Sequence, residues 1–600
     1  MVMRKKGISA IVATVLIVLI TVAAVAILWG AILPMFNEVD ISNENAISID
    51  TSGGYTLYDE TQKIACVQVK KESSLALEGL RVLFNIEGNS FYGLIAKGDV
   101  PELNQKKTYC FSLKNFGKPS SVTVVALPED KSIAVTSKVS VSELNVQALG
   151  SIVGDEGSPS QLRYLDGDPS LLTGCGVLNV SGRTYRLKNN VSTTGTCFTI
   201  IADNVTLDCG SWANRIVYGN VNDATEYYGI YSGKRNTNIK NCEITRGDLA
   251  TTTQGRYGIY FGESNYSKIE KVNSSNNLYG VYLFKSSNNA LTNIITNLNS
   301  VGIYLERSSD DTLTQIITNS NANGVYLDLS SNRNILTNVT ANFNDAGFWM
   351  YSSSWNVFND VTANSNLDVG VYSYLSRNNI FNSLTANSNT NSALYFYSDS
   401  NNNTFNNLNL WNCSSNAIKS CVFLFGSNNN TISGGKIGKS AGYLIQFQAF
   451  GWSGISNNIV RDVQLIEPYF YAIRSNSAPA GPQRNNQIIN SSYVNESVET
   501  DGQLIRKWYY TAYVNDSTEA PVSGVNVTAR NMVGAYQFNL TTGTDGRTGI
   551  AEIIDYINNA GIKTYSSNYN VSVVKSPYAI LNQNWNVTVQ QNNRQNFQFA

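Results

Sequence analysis

A repeat of 22 or 23 residues runs through the middle of the chain and restricts its fold more than any other feature. Each repeat opens with a small residue, an apolar residue, an aromatic residue and a fourth residue that is mostly apolar. A turn rich in Ser and Asn follows, and a second apolar stretch then ends in Asn-rich sequence. The openings begin at Gly258, Gly280, Gly302, Gly324, Gly347, Gly370 and Ala393. This repeat is too short for two packed helices, and the Leu-x-x-Leu-x-Leu pattern of leucine-rich repeats is absent.

The residue types in the repeat favour short strands. Asn accounts for 77 of the 600 residues, and Asn, Ser and Thr are poor helix formers that suit turns. We therefore predict coils of two or three strands, stacked into a parallel β-helix, with each strand about 4.8 Å from its equivalent in the next coil. Equivalent residues then align in columns, and Asn columns can hydrogen-bond along the stack.

The region from about Cys175 to Ser497 resembles the right-handed β-helix of the pectin-lyase-like superfamily, especially its Asn-rich extracellular repeats. The segment CGVLNVSGRTYRLKNNVSTTGTCFTIIADNVTLDC resembles the first coils. The resemblance implies the fold but leaves the activity open, because lyases, hydrolases, adhesins and structural proteins all use it.

The N-terminus, RKKGISAIVATVLIVLITVAAVAILWG, resembles the class III signal and hydrophobic helix of archaeal type IV pilins. By that resemblance residues 1–7 are a leader that a membrane peptidase removes between Gly7 and Ile8. Residues 8–36 are then a helix that anchors the protein in a membrane or packs with pilin-type subunits in a filament. The family often has Ser-Pro after the cut, where this chain has Ser9-Ala10. The alternative is an uncleaved anchor, and the basic cluster before it places the rest of the chain outside the cell.

Strand-like segments flank the repeats on both sides. Residues 41–146 predict a small β-sandwich, 147–174 a linker, 175–500 the β-helix and 505–600 a second β-sandwich. In the last segment, APVSGVNVTA and TTGTDGRTG resemble Ig-like or carboxypeptidase-regulatory-like modules, and a cap on the open end of the helix is the simpler interpretation. The predicted fold class is thus all-β apart from the N-terminal helix.

The eight cysteines are predicted to form four local disulfides, as expected of an exported protein. One pair is 22 residues apart, which is one coil, so its Cα atoms would stack within disulfide reach. The predicted pairs are Cys66–Cys110, Cys175–Cys197, Cys209–Cys242 and Cys413–Cys421.

Composition excludes several classes of function. The chain has no histidine, so it holds no Ser-His-Asp triad, Cys-His pair or histidine metal site. A net charge of −1 gives no basic surface for nucleic acid. We predict no cofactor and no metal ion.

Carboxylates form one candidate catalytic site. The repeat spacing puts Glu306 and Asp328 in one column of neighbouring coils, about 5 Å apart, as in a retaining glycosidase. Asp310 and Asp311 lie in the adjoining turn. Nearby basic residues make a surface ion-pair cluster an equal explanation. The superfamily's polygalacturonase-type sites need a histidine, and no column of calcium-binding carboxylates with a basic partner is evident, so we favour a protein without catalytic activity.

Aromatic residues form a second candidate site. With alternating side chains, the third residue of each opening faces outward. Three successive coils then present one aromatic surface, which either stacks on sugar rings or stabilises the sheet by side-chain pairing. Its residues are Trp349, Tyr351, Tyr372, Tyr374, Tyr395 and Tyr397.

Asn-x-Ser/Thr sequons mark candidate glycosylation sites, including Asn179, Asn190, Asn204, Asn338, Asn429, Asn526 and Asn586. Together, these features predict a protein displayed at the cell surface, anchored or in a filament. Its role would be structural or adhesive, with a surface polysaccharide as a candidate ligand. The alternative is an anchored or secreted polysaccharide lyase or glycoside hydrolase.

Overall fold

The computed structural model describes residues 46–129, 138–146, 162–164, 170–247, 255–416, 418–450, 454–476 and 483–600, without residues 53, 115, 143, 211–213 and 224. The predicted leader with its cut between Gly7 and Ile8, the helix over 8–36 and most of the linker lie outside these residues. No helix within the described ranges has the length and apolarity needed to cross a bilayer. The chain divides into two compact units, and the boundary runs through the two-residue strand Leu171–Leu172.

The first unit packs two sheets around a core that includes Val67, Val82 and Phe111. One sheet contains, in spatial order, the strands Leu162–Tyr164, Lys106–Ser112, Ile64–Lys71, Leu57–Asp59 and Asn145–Val146, with Ile47–Asp50 paired to the third of them. The other contains Asn89–Ala96, Leu77–Ile86, Ser121–Pro128 and Lys138–Ser142, and one 3₁₀ helix spans Lys97–Asp99.

The second unit is a parallel β-helix with β-structure at its C-terminal end. One of its sheets, called here the tyrosine sheet, has 14 strands. They are Gly176–Leu178, Phe198–Ile200, Tyr227–Ser232, Arg256–Gly262, Tyr279–Phe284, Val301–Glu306, Asn323–Asp328, Ala346–Tyr351, Val369–Tyr374, Ser392–Tyr397, Ser420–Phe425, Tyr443–Gln448, Ile473–Asn476 and Glu496–Val498.

The second sheet is called the bent sheet, because its strands turn a corner in every coil. Within the β-helix, the strands of this sheet are Thr184–Leu187, Val191–Ser192, Thr206–Asp208, Arg215–Tyr218, Asn238–Arg246, Lys268–Ser274, Ala290–Ile295, Thr312–Ile317, Ile335–Thr340, Val357–Thr362, Ile380–Thr385, Thr404–Ser414, Thr431–Ser440, Ile459–Arg461, Gln464–Pro468 and Asn486–Ile489. A separate pair, Ile455–Ser456 and Gln483–Arg484, lies beside it.

The coils stack in the register that the repeat predicts. Val281 pairs with Ile303, and Ile303 pairs with Val325, one coil further along. These side chains are at most 1% exposed and belong to one continuous core that runs the length of the helix. The prediction of a parallel β-helix is therefore confirmed.

A small residue opens each repeat, Gly in six openings and Ala393 in the seventh, because two consecutive residues point into the core. Gly302 and Ile303 are both buried, so the strand bends there instead of alternating. A Cβ on Gly302 would lie 1.9 Å from Thr318 Oγ1 and 2.6 Å from the carbonyl oxygen of Gly324. The outer face of the tyrosine sheet is consequently concave at this position, which simple alternation did not predict.

The corner of the bent sheet lies at a residue with left-handed backbone. Asn293, Gln315 and Asn338 occupy it in successive coils with φ of 54–56°. Asn adopts this conformation more readily than most residues with a side chain, which adds a second reason for the Asn content.

Buried side-chain amides join the turns of neighbouring coils. The backbone N–H of Asn334 donates to Asn356 Oδ1, Asn356 donates likewise to Asn379, and Asn379 to Asn403, each at 2.9 Å. The Nδ2 of Asn379 also donates to the backbone oxygen of Ser353 at 3.1 Å. All four Asn side chains are fully buried. The predicted Asn columns thus satisfy backbone groups at turns, where the strand ladder cannot.

Asp311 interrupts this ladder with a carboxyl group. Its Oδ1 accepts from the backbone N–H of Asn289 at 2.7 Å, but its Oδ2 is buried without a hydrogen-bond partner among the described residues. Asn334 holds the same position in the next coil, and its Nδ2, which corresponds to the Oδ2 of Asp311, donates to the backbone oxygen of Ser308. Burial raises the pKa of Asp311 to about 8, because the buried site disfavours the charged form.

The structure contains four disulfides, and each joins a pair predicted from the sequence. The bonded pairs are Cys66–Cys110, Cys175–Cys197, Cys209–Cys242 and Cys413–Cys421. The second pair stacks one coil upon the next, with Cα atoms 4.6 Å apart, and so fixes the register of the first coils.

The C-terminal region continues the bent sheet. The strand Gln503–Tyr510 pairs in parallel with the last coil and antiparallel with Ala551–Asn559, which pairs with Ile562–Tyr565. The remaining elements are the strands Ala512–Asn515, Asn526–Arg530, Tyr536–Thr541, Tyr569–Val574, Leu581–Trp585 and Gln595–Gln598 and the short helix Val587–Gln590. These strands enclose a core of their own that includes Trp508, Val527 and Trp585, and their roles as a cap or as an Ig-like module stay predictions.

We expect Gly302→Ala to destabilise the β-helix by about 1–3 kcal/mol, because the added methyl group overlaps Thr318 and the next strand. Thermal unfolding of the full chain measures the effect. Gly549→Ala is the matched control, since nothing lies within 4 Å of its Cβ position. Equal melting temperatures for the two variants would contradict the close packing at the bend.

We expect Asp311→Asn to stabilise the protein by about 2–4 kcal/mol at pH 7. The folded carboxyl group keeps its proton to about pH 8, whereas the unfolded one loses it near its ordinary pKa of 3.8. The free energy of unfolding of the wild type should therefore fall as the pH rises between these values. The variant should lack the part of this pH dependence that comes from Asp311. Melting curves at pH 4, 6 and 8 test this.

Asp310→Asn is the control, because this exposed neighbour has its pKa lowered by hydrogen bonding to Arg333. Its removal should not stabilise the protein. A pH slope that is identical in wild type and Asp311→Asn would show that Asp311 is ionised in the fold.

Candidate functional site

An outward column of aromatic residues runs along the tyrosine sheet. One residue per coil contributes to it, and neighbouring ring centroids lie 4.1–6.2 Å apart. The members are Tyr231, Tyr260, Tyr282, Tyr304, Tyr326, Trp349, Tyr372, Tyr395 and Phe423. Most of these rings contact each other along the stack, so the column stabilises the sheet by side-chain pairing.

The concave bend brings a further set of tyrosines against this column in the earlier coils. Tyr279 lies across the bend from Tyr282 and Tyr304, with centroids 5.0 and 5.2 Å away. Later coils carry smaller residues at that position, such as Val301 and Ala346, and these are still at least 92% buried. Tyrosine rings therefore fill the concave bend in the earlier coils, and in the later coils the smaller residues at this position are still buried.

A second outward column holds the predicted carboxylates. It runs two residues after the first column and comprises Gly262, Phe284, Glu306, Asp328, Tyr351, Tyr374, Tyr397, Phe425 and Gln448. Glu306 pairs directly with Asp328 in neighbouring strands, as the repeat spacing predicts. The two acids thus lie between a single ring, Phe284, and the run of aromatic residues that begins at Tyr351.

Each acid accepts a hydrogen bond from a tyrosine of the preceding coil. The Tyr282 hydroxyl donates to Glu306, and the Tyr304 hydroxyl donates to Asp328 Oδ2 at 2.6 Å. The Glu306 side chain is 15% exposed, and Arg307 Nη1 lies 3.9 Å from its Oε1. Asp328 is 6% exposed, and its Oδ1 is buried without a hydrogen-bond partner among the described residues.

The two acids have different electrostatic environments. Burial raises the pKa of Asp328 above its ordinary value, although the hydrogen bond from Tyr304 opposes this shift. Burial and the neighbouring carboxylates raise the pKa of Tyr282 and Tyr304 strongly, so both phenols stay protonated as donors. The pair can therefore hold a proton on Asp328 closer to neutral pH than an exposed aspartate would.

The other two predicted acids are not part of this arrangement. Asp310 forms a two-point ion pair with Arg333 at 2.7 and 2.8 Å on the exposed turn. Asp311 is fully buried in the Asn ladder and cannot reach a substrate. Proximity in sequence suggested a common site, but the turn directs both side chains away from the tyrosine sheet.

The predicted aromatic surface is present as two adjacent columns over three coils. Trp349 lies 4.1 Å from Tyr372, and Tyr351 stacks on Tyr374, which stacks on Tyr397. These contacts occupy ring faces that a sugar would use, so they favour the stabilising role. Phe284 and Tyr351 differ, because each has an acid rather than a ring as its column neighbour on one side, and Lys285 Nζ lies 5.1 Å from the Phe284 ring centroid.

Sequence reasoning placed Tyr282 and Tyr304 in the outward aromatic column but not beside the acids, and it missed Phe284. The available signal was the spacing of 24 residues between each tyrosine and its acid, which is one coil plus two residues. The spacing alone does not show that the tyrosine and the acid face each other, because this depends on the bend and on the direction of the side chains.

Other predicted positions lie away from the acid pair. Among the predicted sequons, Asn586 is half-buried and the exposed ones are Asn179, Asn190, Asn204, Asn338, Asn429 and Asn526. The described part of the chain contains no group of three or more Asp, Glu or Cys side chains arranged for a metal ion.

Comparison with known families identifies the repeats. Residues 176–341 and 228–383 match the family model described as "Right handed beta helix region". The helix is thus right-handed, as the resemblance to the pectin-lyase-like superfamily implied. A search of curated proteins found no match.

Solved structures with a similar fold include three polysaccharide-active proteins. The A-module of mannuronan C-5 epimerase AlgE4 from Azotobacter vinelandii is 15% identical and covers 54% of this chain and 91% of its own, with a TM-score of 0.33. The catalytic domain of a GH87 alpha-1,3-glucanase in complex with nigerose is 10% identical, covering 73% and 89%, with a TM-score of 0.30. An alginate lyase from Paenibacillus sp. is 14% identical, covering 52% and 97%, with a TM-score of 0.27. At these identities the likeness concerns the fold alone.

Proposed function

We propose that this protein acts outside the cell as a polysaccharide-binding protein, with the Glu306–Asp328 pair at the centre of its binding site. The observation that carries the proposal is the pair of hydrogen-bonded acids between Phe284 and Tyr351 in the second column. A column that served stacking alone would gain nothing from two partly desolvated carboxylates.

The chemistry of the interruption suits a sugar chain. Phe284 and Tyr351 are three coil steps apart, about 14 Å, so a sugar chain that lies over the acid pair could reach both rings. Tyr351 offers the apolar face of a sugar its ring face towards the acids, and a sugar at Phe284 would replace Lys285 Nζ, which lies 5.1 Å from the ring centroid. The carboxylates of Glu306 and Asp328 can accept hydrogen bonds from sugar hydroxyl groups, which gives orientation.

The proposed location is the cell surface. Four disulfides are typical of proteins that mature in an oxidising compartment outside the cytoplasm. We place the anchor in residues 8–36, either as a membrane helix or as the core of a pilin-type filament, with processing between Gly7 and Ile8. This arrangement would present the β-helix to polysaccharides of the surrounding surface.

Hydrolysis of the bound glycan is a second candidate function, favoured by the unequal environments of the two acids. Neighbouring coils are about 4.8 Å apart, close to the carboxyl spacing of retaining glycosidases. Burial favours the protonated form of Asp328, which suits a general acid. Glu306, beside Arg307, would then be the nucleophile.

Binding of the full chain to a glycan array tests the first proposal. We expect Phe284→Ala and Tyr351→Ala to weaken binding of the positive glycans about tenfold, since stacking on one ring contributes about 1 kcal/mol or more. Trp349→Ala should mainly lower the melting temperature, because its ring packs on Tyr372. Tyr266→Ala and Trp355→Ala are matched controls, each exposed by 57% on turns away from the site.

An array without any positive glycan would contradict the proposal. So would equal loss of binding in the control and site variants, because the signal would then come from exposed aromatic residues in general.

Release of reducing ends from a bound glycan tests the second candidate. We expect Asp328→Asn and Glu306→Gln each to lower the rate at least 100-fold while retaining binding. A product with retained anomeric configuration is expected from the short spacing. Unchanged rates in both variants, or no turnover of any glycan that binds, would exclude hydrolysis at this pair.

A further inference from the structure

We propose that Asn338 carries an N-linked glycan and that the first sugars of this glycan lie in a groove at the corner of the bent sheet. The inference concerns a modification of the chain and is independent of the acid pair on the tyrosine sheet. It comes from the shape of the groove, from the side chains on its two walls and from the position of one sequon within it.

The corner of the bent sheet forms a groove on the outer surface of the β-helix. Residues of four successive coils line it, and its volume is about 550 Å³. Sites that hold small organic molecules have volumes of about 300–1,000 Å³. The groove is therefore large enough for a ligand of the size of a sugar.

One wall of the groove carries amide groups, and the other is mainly apolar. The amide wall contains Asn293 and Gln315, whose side chains have no hydrogen-bond partner among the described residues. On the other wall Ile317 pairs in register with Ile295 and Thr340, and it is 42% exposed. A sugar suits both walls, because its hydroxyl groups can bond to amides and its apolar ring face can cover an aliphatic side chain.

The sequon Asn338-Val339-Thr340 crosses this groove. Val339 is buried in the core, and the residues before and after it lie on the two walls. Asn338 follows Gln315 at the corner, where its backbone is left-handed with φ of 54°, and its side chain is exposed. A sugar attached to Asn338 therefore begins inside the groove.

A later coil offers an internal comparison. The sequon Asn490-Ser491-Ser492 lies at the same corner, beside a second groove that Asp462 also lines. There Asn490 Nδ2 donates to Asp462, and Asn490 Oδ1 accepts from Asn592. A sugar on Asn490 would crowd both neighbours, whereas the amide of Asn338 has no hydrogen-bond partner among the described residues.

The modification is a glycosyl transfer from an activated glycosyl phosphate. A bond forms between Asn338 Nδ2 and the anomeric carbon of the sugar, and the bond from that carbon to the phosphate oxygen breaks. The phosphate leaves with the electron pair, and the amide loses one of its two protons. The product keeps one N–H and the carbonyl oxygen for hydrogen bonds within the groove.

Mass spectrometry of intact glycopeptides from the native protein tests the modification. We expect the peptide that contains Asn338 to carry sugar mass in most copies, and the peptide that contains Asn490 to carry none. Thr340→Ala should abolish the sugar at Asn338, because it removes the sequon, whereas Thr340→Ser should retain it.

Hydroxyl-radical footprinting, which measures the solvent access of single side chains, tests the location of the sugars. We expect Ile317 to react about threefold more slowly in the glycosylated protein than in Asn338→Gln, because the sugars cover it. Ile380 is the matched reference, since it is 39% exposed on the same sheet and does not line the groove. It should react equally in both proteins.

Asn429→Gln is the matched control variant, because it removes an exposed sequon elsewhere and should leave the protection of Ile317 intact. Asn338→Gln fits the fold, since Gln315 adopts the same left-handed corner in the preceding coil with φ of 56°. Circular dichroism verifies that both variants are folded.

An unmodified Asn338 in the native protein would overturn the inference, and so would a sugar at Asn490 in its place. Equal reactivity of Ile317 in the glycosylated protein and in Asn338→Gln would overturn the location of the sugars in the groove. Loss of the protection in Asn429→Gln would also overturn it, because a different glycan would then cover Ile317. None of these results depends on polysaccharide binding at the acid pair.

Discussion

Some backbone N–H groups at the turns of this β-helix find no backbone acceptor in the next coil, and buried side-chain carbonyls supply the missing acceptors. Asn356 accepts the backbone N–H of Asn334 from the coil before it, and each further Asn repeats the contact. A buried N–H without a partner would cost about 1–3 kcal/mol. Each coil contains several backbone N–H groups that would be unpaired without these side-chain acceptors. This requirement keeps Asn at fixed positions and thereby keeps every coil in the same register.

The candidate site is a consequence of that register. A one-residue slip would turn Glu306 or Asp328 towards the core, and a different coil length would separate them. The small residue at the opening of each repeat permits the concave bend, which brings outward tyrosines such as Tyr279 and Tyr282 together. The hydrogen bonds from Tyr282 and Tyr304 then orient the acids from the coil behind. Structure and site thus depend on the same stacking.

Periodicity alone predicted the stacked coils, the columns and the pairing of Glu306 with Asp328, because residues one repeat apart must align in a parallel stack. It did not predict the bend at Gly302, since alternation assumes that neighbouring residues face opposite ways. The burial of Asp311 was missed for a related reason: the turn places it inside the Asn ladder although its sequence neighbour Asp310 is exposed. Side-chain direction at turns depends on backbone torsions that the residue pattern does not specify.

Disulfide trapping at the site tests most directly the register on which both structure and function depend. All eight native cysteines are paired in disulfides, so two introduced thiols have no free partner elsewhere. Glu306→Cys combined with Asp328→Cys should crosslink readily under mild oxidation, as Cys175 and Cys197 do with Cα atoms 4.6 Å apart. Glu306→Cys combined with Tyr351→Cys places the thiols two coils apart, about 10 Å, and should stay reduced. Crosslinking of the second pair but not the first would contradict the stacking described here.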